Sequence, residues 1–191
     1  LDADHWEATR SGAAEMLTAF AGEGGSGDLA TTLGQAANQA AWERTIDMVT
    51  LMTADPGILD TARSRLRSVL DGDTVVVVAH SLGTVLAYNV LREAPELTVD
   101  TFVTLGSPLG TDMGASMLPE PDAEGIHPWP GSVRRWVNVA AVGDRATGTG
   151  RLAPRFGPGV EDRRVDNGHR AHSPEPYLNS SATGEAVAAA L

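Results

Sequence analysis

Thr74-Val75-Val76-Val77-Val78-Ala79-His80-Ser81-Leu82-Gly83-Thr84 is the stretch on which the reading of this chain turns. Thr74 to Ala79 is a short apolar run rich in valine, and the turn signal Asp71-Gly72-Asp73 precedes it. β-Branched side chains pack well on a pleated surface, so the run predicts a strand. Its lack of polar alternation predicts burial on both faces. Beyond Ser81 the pattern changes: Leu82, Val85, Leu86 and Val90 recur at helical spacing and predict a helix over 82–92. Ser81 therefore stands on the turn between a buried strand and an amphipathic helix.

A serine so placed has the layout of a nucleophile elbow, a tight strand-to-helix turn that calls for small residues two before and two after it. Ala79 and Gly83 occupy those positions, with alanine where glycine is commoner, and His80 adjoins the serine. The amino terminus of the following helix offers backbone N–H groups and its dipole to a developing negative charge. That makes the Leu82 N–H an oxyanion donor. A plainer reading makes Ser81 a helix N-cap, but an N-cap requires neither the small neighbours nor His80.

Working outward, Val99–Leu105 and 134–141 predict two further strands, and strand–helix–strand with short links predicts a parallel sheet with right-handed crossovers. The fold class is α/β. Residues 106–131, rich in Pro, Gly and Met, predict a loop excursion over the carboxyl edge of the sheet. Its Met113, Met117, Leu118, Ile126 and Trp129 make either an apolar lid over an acyl chain or the packing of a long loop. The Ala-rich end, 183–191, predicts a closing helix. Upstream, residues 1–70 read as helical: Trp6, Ala13, Met16, Leu17 and Phe20 share a face, as do Trp42, Ile46 and Val49. A third helix follows Asp55-Pro56. Gly22 to Gly27 matches GxGxxG, but a dinucleotide loop needs a strand before it, and a helical pattern precedes this one. It reads as a connection. One domain is expected over 1–191, a helical segment 1–70 followed by a core 71–191.

The 191 residues are 42% hydrophobic, enough for one core, and carry a formal charge of -11. Such a surface repels phosphate backbones and anionic lipid heads, which argues against nucleic-acid partners. All the basic residues are arginine. Cysteine is absent, which removes disulfides and thiolate chemistry but does not separate a reducing compartment from an oxidising one. No apolar run approaches the roughly 20 residues of a membrane span. No cofactor or metal is called for by any ligand spacing in the chain.

If Ser81 is a nucleophile, it needs a base and an acid. In an elbow fold these follow in the order serine, acid, histidine, with the acid after a later strand and the histidine near the end. Of five histidines, His5 and His80 come too early and His127 lies in the excursion, leaving His172 and His169. Asp144 follows the third strand by a Val-Gly turn; Asp112, Asp162 and Asp166 compete with it. Gly106-Ser107-Pro108 ends the second strand and is expected beside the site, Ser107 either positioning substrate or terminating the strand.

These segments together resemble a group of bacterial serine esterase or lipase-like α/β-hydrolases. The resemblance runs over residues 45–191, through Ala79-His80-Ser81-Leu82-Gly83, Val103 to Gly110, Trp136 to Val139 with Asp144, and Ala171-His172-Ser173 before Tyr177-Leu178. It implies Asp144 as the acid and His172 as the base. The family often has a second aspartate three positions before the first, where this chain has Ala141. It also has earlier strands, and a loop after one of them donates a second oxyanion N–H. Nothing in 1–70 reads so, and an amino-terminal portion before Leu1 is expected. The implied activity is hydrolysis of a carboxylic ester or lipid acyl bond. Acyl transfer by the same residues and a silent hydrolase fold that binds a partner are the alternatives.

Overall fold

The computed structural model describes Asp47 and residues 55–191. The helices expected before residue 55 and the Gly22–Gly27 segment lie outside the described residues.

Helix α1 (Pro56–Val69) starts where the sequence places it: the Asp55 side chain accepts the Gly57 N–H, and Pro56 fills the first turn, where no N–H is needed. Strand β1 (Val76–His80) leads through Ser81 into α2 (Leu82–Glu93), and β2 (Val99–Leu105) follows. The excursion contains a 3-10 turn at Pro108–Gly110 and one short helix, α3 (Asp112–Ala115). Then come β3 (Val133–Ala141), α4 (Ala153–Phe156), β4 (Val160–Val165), α5 (Pro174–Leu178) and α6 (Ser181–Ala188). The four strands are all parallel in the order β1-β2-β3-β4. This is an α/β architecture, and it sets the ends of β1, β2 and β3 side by side.

Side chains alternate across a strand, and the core divides accordingly. Phe102 and Trp136, register partners, pack with Tyr88, Leu91, Leu109 and Phe156 on the face that α2 covers. Val103, Leu105, Val137 and Val139 point the other way, to Tyr177 and Ala186. The apolar residues of the excursion pack inward, as the loop-packing alternative has it: Met113 is buried, and Met117, Leu118 and Trp129 lie against the first cluster.

Two features differ from expectation. The valine run predicts burial on both faces, yet Val75 and Val78 are 40% and 39% exposed. Among the described residues β1 is an edge strand, paired with β2 alone, and burial depends on neighbours that the run does not encode. β4 was not expected, because Val160-Glu161-Asp162-Arg163-Arg164-Val165 carries four charges in six residues. It forms as the opposite edge, where charge is tolerated. Arg135 on β3 grips Glu161 at 2.6 and 2.8 Å, and Asp162 accepts from Asn138 and from the Leu152 and Ala153 N–H groups.

Candidate active site

The turn after β1 is strained. Ser81 has φ 54° and ψ -132°, and it is the one non-glycine residue with positive φ among the described residues. Such a conformation costs on the order of 1–3 kcal/mol and persists only where the surroundings impose it. Here the strand ends impose it. The Ser81 N–H donates to the Leu105 carbonyl at 2.9 Å. The Ser81 carbonyl accepts from the Thr84 N–H at 2.9 Å and from Thr84 Oγ1 at 2.7 Å. Since Thr84 gives its hydroxyl proton to that carbonyl, Ser107 Oγ, 2.7 Å away, donates to Thr84 Oγ1, and Ser107 in turn accepts the Leu109 N–H. A one-way chain of hydrogen bonds thus ties the strained residue to the end of β2.

Ser107 and Pro108 are buried, and the Ser107 hydroxyl is spent on this buttress. Of the two small neighbours, Ala79 packs against the core. A β-carbon built at Gly83 meets nothing within 4 Å among the described residues, so the tightness expected there is not seen.

The Ser81 side chain makes no capping bond to α2. Its Oγ lies 2.9 Å from Nε2 of His172, and Nδ1 of the same ring lies 2.9 and 3.0 Å from the two Asp144 carboxylate oxygens. Nδ1–H donates to the carboxylate, which leaves the Nε2 lone pair to accept the Ser81 hydroxyl proton. His172 is held on the three-residue link between the 3-10 turn Gly168–Arg170 and α5. The Asp144 side chain is 0% exposed and the His172 side chain 16%. Asp144 follows β3 and caps the next turn through the Ala146 N–H at 3.0 Å. As the first residue of α2, Leu82 has a backbone N–H without an intrahelical acceptor, beside Ser81.

The competing residues stand elsewhere. Asp112 is exposed and pairs with Arg155, Asp162 serves the β4 network, and Asp166 accepts the Gly168 N–H. His169 is exposed, in the 3-10 turn.

Three further residues complete the site, and sequence patterning did not assign their parts. Tyr177, 0% exposed, donates to Asp144 Oδ2 at 2.5 Å and accepts the Ala141 N–H at 2.8 Å. Burial and the Asp144 charge push its phenol well above the ordinary tyrosine range. Gly106, expected beside the site, packs against Asp144, Tyr177 and His172. A β-carbon on it would lie 3.0 Å from Asp144 Oδ2, 3.1 Å from Tyr177 and 3.3 Å from His172 Nδ1, and its φ of +55° suits glycine.

His80 turns its ring toward His172 and Tyr177, with centroids 4.9 and 5.8 Å away. Its Nε2 is buried with no hydrogen-bond partner among the described residues. Burial first, then the charge of His172, pushes its pKa down from 6.5 to about 4. The unfolded chain takes up this proton near pH 6.5 and the folded chain only near 4. Stability from this group is therefore full above about pH 6.5 and is lost as pH falls through that window. Melting temperatures of His80→Phe are expected to fall less steeply between pH 6.5 and 4 than those of the wild type; equal slopes would contradict this account of burial.

Comparisons of the chain with family models, with curated proteins and with solved structures find no match. The site's chemistry therefore rests on its own geometry. Among the described residues no helix is long and apolar enough to cross a membrane.

Proposed function

We propose that this chain is a serine hydrolase of the α/β-hydrolase fold that cleaves a carboxylic ester or lipid acyl bond. The observation that carries the reading is the hydrogen-bonded series Ser81–His172–Asp144 standing on a strained strand-to-helix turn. Backbone strain is rarely stored without use, and a helix cap needs neither the strain nor the histidine.

In the proposed reaction Ser81 Oγ attacks the acyl carbon while His172 Nε2 takes the hydroxyl proton. The tetrahedral oxyanion is met by the Leu82 N–H and the amino end of α2. Its collapse breaks the bond to the leaving alcohol, which receives the proton from His172. Asp144 holds the imidazole in the tautomer that presents Nε2 and stabilises its cation. Water, deprotonated by His172, then attacks the acyl-enzyme, giving carboxylic acid and free serine.

A p-nitrophenyl ester tests the sequence of steps. The expected result is a burst of nitrophenol, one equivalent per protein, followed by slower turnover. Added alcohol that diverts the acyl group into a new ester faster than water takes it would assign acyl transfer instead. No burst and no turnover from folded protein would favour the silent partner-binding module.

A further inference from the structure

The bonds of Tyr177 settle the direction of its proton. The Ala141 N–H can only donate, so the phenol oxygen accepts there, and the single phenol proton goes to Asp144 Oδ2 at 2.5 Å. The ring is fully buried. The Asp144 carboxylate is thus divided between two partners: His172 Nδ1, 2.9 and 3.0 Å from its oxygens, and the Tyr177 hydroxyl. A hydroxyl that donates to a carboxylate draws negative charge toward itself, and so weakens the pull of that carboxylate on a neighbouring imidazolium.

Other groups bear on the same pair. His80 faces His172 and Tyr177 from β1, and Glu175 from α5 acts electrostatically on His80. Arg164 from β4 acts on Tyr177. Glu175 and Arg164 act through charge, and His80 through its ring and a bond to the His172 backbone. Tyr177 acts on Asp144 through a hydrogen bond, the shorter-ranged and more directional influence.

We propose that Tyr177 is a positioning residue for the reaction described above: it anchors Asp144 and limits how strongly Asp144 favours the protonated form of His172, so that the base stays free to lower pH. The inference rests on the hydrolase reading for its use in catalysis, but the coupling itself is a property of three side chains.

The experiment compares wild-type protein, Tyr177→Phe, and protein with 3-fluorotyrosine at position 177. Fluorotyrosine is nearly isosteric, keeps the Ala141 bond and is the stronger donor. The His172 ring is titrated by NMR, and kcat and KM for a p-nitrophenyl ester are measured across pH. For Tyr177→Phe, the His172 midpoint and the acid limb of kcat/KM should both rise, by about half a pH unit or more. Its kcat should fall about tenfold, with KM nearly unchanged. Fluorotyrosine should move the midpoint the other way.

A midpoint unmoved in both proteins, or lowered in Tyr177→Phe, would overturn the proposal. If Tyr177→Phe does not fold, the fluorotyrosine titration decides alone. Titration by NMR needs no turnover, so a protein that shifts as expected but shows no ester hydrolysis would retain the coupling and lose the hydrolase reading. Normal hydrolysis with unmoved midpoints would do the reverse.

Discussion

Exposed to a fluorophosphonate, the folded protein is expected to gain one covalent adduct, and peptide mapping is expected to find it on Ser81. The probe labels a serine only where a base takes its proton and donors meet the phosphoryl oxygen, and those are the surroundings of Ser81. His172 Nε2 stands 2.9 Å from its Oγ, and the amino end of α2 lies beside it. Ser81→Ala should abolish labelling and lower ester turnover by on the order of 10⁴-fold or more, the remainder coming from binding and oxyanion stabilisation. The change removes no capping bond, since the Ser81 side chain makes none to the helix. It should also leave the melting temperature unchanged or higher, because stability and activity trade against each other at strained sites. An adduct mapped to another residue, or an active Ser81→Ala protein, would remove Ser81 from its role.

The second large effect belongs to the base. His172→Ala should reduce acylation about as far as Ser81→Ala, and the double variant should be hardly worse than either single one, because groups acting as a unit lose their contributions together. His169→Ala should stay near wild type: that residue is exposed in the turn before His172, and Nε2 of His172 is the nitrogen at Ser81. Asp144→Asn keeps the shape but can present an N–H to Nδ1, which forces the proton to Nε2 and blocks acceptance from Ser81. A loss on the order of 10⁴-fold is expected. Circular dichroism on each variant keeps loss of fold apart from loss of chemistry. Hydrolysis that survives His172→Ala and fails in His169→Ala would move the base to His169.

Much of the framework was legible because its signals are local. The valine run, the switch to helical spacing at Leu82 and the β-branched segment Val99–Leu105 announced β1, α2 and β2 within a residue or two of their observed ends. The Asp55-Pro56 pair marked the start of α1. Ser81 and Asp144 stood out because each follows a predicted strand, Asp144 by a Val-Gly turn; the order serine, acid, histidine left His172 and His169, and the family resemblance pointed to His172. β4 was illegible for the opposite reason. Its charged middle mimics a loop, and only the arginine and asparagine of β3 opposite it make a strand of it.

Tyr177 and Gly106 were seen in the sequence only as landmarks, and their parts come from contacts across the chain. Tyr177 reaches Asp144 over 33 residues, and Asp144 reaches His172 over 28. Ser81 and His172 are 91 apart. No periodicity spans such separations, so no pattern could say that the phenol points at the carboxylate, or that a β-carbon at Gly106 would crowd three site residues.

By itself the sequence determined much of the local conformation: where α1, β1, α2 and β2 begin, which serine lies on the turn, and a short set of acids and histidines from which the family resemblance picked Asp144 and His172. Propensity, capping and hydrophobic spacing act over a few residues, and the conformations were theirs. The tertiary structure alone decided that β1 is an edge among the described strands, that Ser107 braces the elbow, and that one carboxylate serves both His172 and Tyr177. These depend on which strand ends lie side by side, and that is set by parallel pairing between segments far apart in the chain.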